Sequence, residues 1–218
     1  MRFHTILFDL DGTLTDSREG IFNCIRYALD KMQLPVPEES VLLQFIGPPL
    51  QDSFSRCCGM SERDALRAVE LFQERYAPVG KFENAAAPGM VELCRKLYEH
   101  GLTLAVASSK PESMCRPICE RFGFAPFMRI ITGSPPGEEW GKARVIQEVL
   151  TRLHTMDKSG VLMVGDRKYD VEGALANGLT CAGVEFFGYA EPGELQRAGA
   201  TVVVHSAAEL EHFILDTE

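Results

Sequence analysis

The sequence is short of positive charge. It has 22 lysines and arginines against 31 aspartates and glutamates, a formal net charge of −9. A chain that binds nucleic acid through its phosphates needs the opposite balance, so this class is set aside. Long apolar runs are also missing. No stretch is long enough to span a bilayer, and Phe3-His4-Thr5-Ile6-Leu7-Phe8 runs straight into acidic residues without the apolar region or small-residue cleavage site of a secretory leader. The seven cysteines lack a CxxC pair and a disulfide rhythm, so they read as reduced, packed thiols in a cytoplasmic protein. The five histidines do not cluster, and the single tryptophan, Trp140, reads as a packing anchor.

What is present is a repeating alternation. Six short apolar runs read as strands: Phe3–Phe8, Leu102–Ala107, Met128–Ile131, Val161–Val164, Cys181–Val184 and Thr201–Val204. Their nearly unbroken apolar character is that of strands buried on both faces. Helical patterns separate them at Met90–Glu99, Glu112–Phe122, Ala143–Leu153, Asp170–Ala176 and Ala207–Leu215. Such alternation predicts a Rossmann-like α/β fold, a doubly wound parallel sheet with right-handed crossovers.

One interval breaks the rhythm. Roughly ninety residues separate the first two strands, far more than one crossover needs. Apolar residues at helical spacing fill it, with Ile21, Phe22, Ile25, Ala28 and Leu29 in one segment and Ala65, Leu66, Val69 and Phe72 in another. Proline and glycine punctuate it at Pro35, Pro37, Gly47-Pro48-Pro49, Pro78-Val79-Gly80 and Pro88-Gly89. The expected organisation is a core of residues 1–15 and 86–218, with an all-helical cap domain inserted over 16–85. Within that insertion, Phe45–Leu50 reads as either a plain helix–helix turn or a loop that meets substrate.

Ligands of an open parallel sheet bind at the carboxyl ends of the strands. After the first strand comes Asp9-Leu10-Asp11-Gly12-Thr13-Leu14-Thr15; after the second, Ser108-Ser109-Lys110; after the fourth, Gly165-Asp166-Arg167-Lys168-Tyr169-Asp170. Lys142 opens the helix after the third. Three carboxylates from two loops make a hard oxygen site suited to Mg2+. A carboxylate is also a competent nucleophile towards phosphorus. A serine hydroxyl and backbone N–H groups can hold phosphoryl oxygens, a lysine can face a negative transition state, and Gly12 permits close approach of backbone to a phosphate. Each signal has a bland counterpart: Asp-x-Asp-Gly as a turn, Ser108 as a helix cap, Lys142 as a solvated helix residue. Their agreement across distant segments favours chemistry.

At this point the residues resemble a known family. Asp9-x-Asp11-Gly12-Thr13-Leu14-x-Asp16-Ser17, Ser108 behind a strand, Lys142, and Gly165-Asp166-x-x-x-Asp170 together resemble the haloacid dehalogenase superfamily. Within it they resemble the phosphoglycolate phosphatase-like branch with a helical cap after the first strand. The resemblance implies a magnesium-dependent phosphatase acting on a small phosphorylated metabolite, with no nucleic-acid or membrane partner. It implies Asp9 as nucleophile and Asp11 as the acid that protonates the leaving alkoxide and later deprotonates water. Lys142 would pair with Asp9 and the phosphoryl group. Gly12, Ser108 and Ser109 would hold the phosphate, and Asp9, Asp11 (through its carbonyl), Asp166 and Asp170 would hold or orient the metal. Phosphoglycolate or a nucleoside 5′-monophosphate is the expected substrate. A mutase, a pyrophosphatase and a non-hydrolytic phospho-aspartate switch are the alternatives. Departures are Arg167 where serine or threonine is commoner, Ser109 where asparagine is frequent, and an unusual loop from Thr132 to Gly141.

Overall fold

The computed structural model describes residues 2–215. The chain divides into two compact units, one of Met1–Thr15 with Ala86–Glu218 and one of Asp16–Ala85. It passes between them at two short strands, β2 (Thr15–Asp16) and β3 (Ala85–Ala86).

The larger unit is built on strands β1 (Thr5–Phe8), β4 (Thr103–Pro111), β5 (Met128–Ser134), β6 (Val161–Gly165), β7 (Thr180–Val184) and β8 (Val202–Val204). They form one sheet in the order β5-β4-β1-β6-β7-β8, and every pairing is parallel. Helices α5 (Met90–Glu99), α6 (Glu112–Arg121), α7 (Lys142–Arg152), α8 (Lys168–Ala176) and α9 (Glu194–Ala198) lie in the connections, and α10 (Ala207–Leu215) follows β8. Side chains alternate between faces along each strand. Ile6, Phe8, Leu104, Val106, Leu162 and Val164 pack on one face with residues of α5, α6 and α10. Leu7, Ala105, Ala107, Val161 and Met163 pack on the other with residues of α7, α8 and α9. The sheet is therefore doubly wound, and its unbroken apolar strands are the price of having no solvated face. Each such aliphatic side chain contributes about 1.5–3 kcal/mol on burial. Truncating one in this layer, for example Ile146→Ala, costs ~2–5 kcal/mol.

The topology fixes where a ligand goes. From β1 the chain moves to β4 and on to β5, then returns to β6 on β1's other side. This reversal opens a crevice at the carboxyl end of β1, between the exits of β4 and β6.

The helical unit holds α1 (Arg18–Lys31), α2 (Glu39–Leu42), α3 (Leu50–Cys58) and α4 (Glu62–Tyr76). α1 packs on α4. The buried face of α4 is Ala65, Ala68, Leu71 and Phe72, while Leu66 is 48% exposed. The sequence places apolar residues on too broad an arc of α4 for periodicity to select the stripe, and packing chose the one that excludes Leu66. Ser61 caps α4, accepting from Asp64 N at 3.2 Å. Arg75 grips Glu83 through both terminal nitrogens, at 2.6 and 2.8 Å. Phe45 and Ile46 are buried, and Phe45 lies edge-on to Phe54 at 5.1 Å.

Candidate active site

Asp9 is the first residue beyond β1, and its N–H donates to Val164 O at 2.9 Å, tying the loop to β6. The turn that follows is narrow. Leu10 O accepts from Leu14 N at 3.0 Å and Thr15 N at 2.9 Å, while Leu10 and Leu14 are buried beneath. Gly12 sits at φ +84, and a Cβ there would lie 2.2 Å from Asp166 Oδ2. Its N–H already donates to Thr15 O at 2.7 Å. Glycine is thus required for the approach of this loop to the Asp166 carboxylate.

Lys142, the first residue of α7, is 7% exposed. Its Nζ lies 2.7 Å from Asp9 Oδ1, 2.8 Å from Asp170 Oδ1 and 3.0 Å from Ala107 O. Three N–H donors meet three acceptors. Asp170 is held on its other oxygen by Arg167 N at 3.0 Å. Thr13 Oγ1 donates to Asp166 Oδ1 at 3.3 Å. Lys110, at the end of β4, pairs with Asp11 Oδ2 at 3.0 Å. Ser108 is buried, its Oγ accepting from Lys110 N at 3.3 Å, and Ser109 O accepts from Ser134 Oγ at 2.8 Å. The structure therefore brings Asp9, Lys142, Asp166 and Asp170 into one buried cluster, with Lys110 on Asp11 beside it. Thr13 and Lys110 are additions that sequence reasoning did not single out. Lys110 carried a signal, a cation directly after Ser108-Ser109 at a strand end; Thr13 carried none beyond its place in the loop.

The cluster is out of charge balance. Oxygens of Asp9, Asp166 and Asp170 lie within 4.8 Å of one another, and Lys142 supplies a full positive charge at bonding distance to Asp9 and Asp170. Burial raises the Asp9 carboxyl to about 6, opposed by Lys142 and reinforced by Asp170 and Asp11. Burial, with Asp170 and Asp9 next, holds Asp166 well above the ordinary carboxylate range. Burial alone would lower Lys142, but Asp170 and Asp9 reverse that and raise it. With all three carboxylates ionised, two negative charges would stand uncompensated, the repulsion that these upward shifts express, and Asp166 Oδ2 is buried with no hydrogen-bond partner, as is Asp11 Oδ1. An all-oxygen donor set with a two-unit charge deficit and an orphaned carboxylate oxygen fits a hard divalent cation such as Mg2+.

The cysteines stand apart from this chemistry. All seven are free, and Cys115, whose Sγ faces Lys110 O, is pushed well above the usual thiol range by burial. Buried thiols of this kind are inert.

Residues 6–184 match the family described as haloacid dehalogenase-like hydrolase. A 5′-nucleotidase of Pseudomonas aeruginosa is 39% identical over 215 residues, covering 96% of this chain and 93% of its own length. The tyrosine-protein kinase PtkA of Mycobacterium tuberculosis is 36% identical over 203 residues, covering 93% of this chain and 68% of its own. A crystal structure of a predicted phosphatase from Clostridium acetobutylicum superposes with a TM-score of 0.91 at 38% identity, covering 100% of both chains.

Proposed function

Because this chain belongs to the haloacid dehalogenase-like hydrolase family and is a phosphatase of it, we propose that it hydrolyses a small phosphate monoester through an aspartyl-phosphate on Asp9. The observation that carries this reading is Asp9 Oδ1 held 2.7 Å from the Nζ of buried Lys142, inside a cluster with excess negative charge. Lys142 aims the carboxylate and supplies charge for the phosphoryl oxygens. Asp9 attacks phosphorus, and the bond to the ester oxygen breaks. Asp11, two residues on, enters this step released from Lys110 and protonated, and gives that proton to the departing alkoxide. It then takes a proton from the water that attacks the aspartyl-phosphate, releasing phosphate and restoring Asp9. Ser108 and Ser109 are the phosphoryl-holding residues of this reading, and Gly12 lets the nucleophile loop close on Asp166. Asp9, Asp166, Asp170 and the Asp11 carbonyl would hold Mg2+, which supplies positive charge opposite the phosphoryl oxygens when bound.

A nucleoside 5′-monophosphate is the favoured substrate, supported by the likeness to the P. aeruginosa 5′-nucleotidase; phosphoglycolate is the alternative. A cytoplasmic setting is supported by the seven free cysteines. Among the described residues no helix is long and apolar enough to cross a membrane, and the net charge of −9 argues against a nucleic-acid partner. The test is phosphate release from a panel of monoesters with MgCl2. Nucleoside 5′-monophosphates should turn over fastest, and EDTA should abolish release. Full activity after exhaustive chelation would sink the metal assignment. Asp11→Asn should slow alkyl esters far more than p-nitrophenyl phosphate, whose leaving group hardly needs a proton.

A further inference from the structure

Arg167 follows Asp166 directly and is the residue that departs from the family's usual serine or threonine. Its side chain is 13% exposed, with the guanidinium turned towards Glu194. Nε donates to Glu194 Oε1 at 2.9 Å and Nη2 approaches Oε2 at 3.5 Å. The same carboxylate accepts from Lys168 N at 2.9 Å and from Glu191 N at 3.2 Å. Glu194 opens α9, is 7% exposed, and lies in the connection after β7, far in sequence from the loop it holds. It thereby fixes the Arg167 side chain and the Lys168 backbone together. On the other side of the loop, Arg167 N is bound by Asp170.

Asp166 depends on this scaffold. Its own side chain has one long bond, to Thr13, and one oxygen without a partner. Its direction must come from the backbone on either side of it. Before it stands Gly165 at the end of β6, where a Cβ would lie 2.2 Å from Asp170 Cγ. After it stands Arg167, held at its backbone by Asp170 and at its side chain by Glu194. A buried, multiply bonded charge pair is a stiff joint, because removing either partner strands the other.

We propose that Glu194, acting through Arg167 and the Lys168 amide, is a positioning residue that holds the Asp166–Asp170 loop so that its two carboxylates converge on Asp9. This rests on the reading of those carboxylates as the Mg2+ site. Partners one step removed from metal ligands typically change metal affinity 10–100-fold when lost.

The test uses the full chain as wild type, Glu194→Ala, Glu194→Gln and Arg167→Met, with MgCl2 as the probe. Mg2+ affinity is read calorimetrically and from the Mg2+-induced rise in Tm, against Tm in EDTA. Glu194→Ala should weaken Mg2+ binding about tenfold and move the Mg2+ activation midpoint by the same factor, with KM for the ester little changed. Glu194→Gln keeps one acceptor oxygen and should fall between wild type and alanine, and it reads the same effect if the alanine variant fails to fold. Arg167→Met leaves the Lys168 amide on Glu194 and should weaken Mg2+ binding no more than Glu194→Ala, and the double variant should be no weaker than Glu194→Ala alone. Unchanged Mg2+ affinity in variants whose Tm in EDTA has fallen would overturn the proposal, leaving a purely structural ion pair. Absence of Mg2+ binding by the wild type would instead overturn the metal reading, and the proposal with it.

Discussion

Two ion clusters, one in each unit, divide the labour of charge in this chain. In the helical unit Arg75 and Glu83 face each other one to one, both terminal nitrogens on both oxygens, with about a quarter of each side chain exposed. Bonding to Arg75 holds the Glu83 carboxyl below its ordinary range, against the opposing effect of burial. In the core unit three carboxylates crowd one buried ammonium, and the shifts run the other way, upwards for Asp9 and Asp166. A balanced pair is content in the native fold and serves only stability. An unbalanced one destabilises the empty fold and so creates affinity for whatever restores neutrality.

The sharpest break of this contrast is at Asp9. Asp9→Asn should lower kcat by at least about 1000-fold, since an amide is neither nucleophile nor good ligand. It should also raise the Tm of the metal-free protein, because it removes one of the crowded charges. A fall in metal-free Tm would contradict the charge-imbalance account even if activity vanished. Lys142→Met has the converse signature. It should abolish turnover and destabilise the metal-free chain by ~3–5 kcal/mol, leaving carboxylates buried without their cation.

Next in size is the pH dependence. Asp9, raised from 3.8 to about 6, binds a proton in the native state that the unfolded chain has already released between those values. Stability in EDTA should therefore fall as pH rises from about 4 to 6, and Asp166 adds in the same direction. Glu83 has the opposite sign: its lowered carboxyl contributes stability above its usual 4.5 that is lost as pH falls. Urea midpoints across this range should show the downward arm in wild type, a weaker one in Asp9→Asn, and its loss on adding MgCl2. Identical profiles for the wild type and Asp9→Asn would refute the assignment.

Smaller effects belong to the helical unit. Glu83→Gln should cost about 1–2 kcal/mol of stability, discounted for partial exposure, while kcat/KM on a small generic ester stays unchanged. Ser61→Ala removes the cap of α4 and should cost ~1 kcal/mol or less, read from the urea midpoint.

Much of the core was legible in the sequence because its signals are local. α5 and α10 occupy the predicted ranges, Met90–Glu99 and Ala207–Leu215. β4 runs on through Pro111, past the expected end at Ala107, because Ser108, Ser109 and Lys110 are polar and periodicity cannot see a strand continuing into a site. α7 begins at Lys142 as expected, but no amphipathic pattern announces the burial of that side chain against Asp9 and Asp170. Glu194 was invisible for a stronger reason: α9 is a short helix with no periodicity to find, and its partner Arg167 lies in a different crossover.

The sequence by itself determined the parallel α/β core, the helical insertion and the acidic residues at strand ends. Each of these is written in apolar periodicity, breaker residues or motif spacing within a few turns of chain. The tertiary structure alone decided that β1 lies between β4 and β6, that Lys142 takes Asp170 as well as Asp9 while Lys110 takes Asp11, and that Glu194 grips Arg167. Those are pairings through space between charges brought together by strand order. Coulombic partners are chosen by distance and burial, neither of which is a property of neighbouring residues in a sequence.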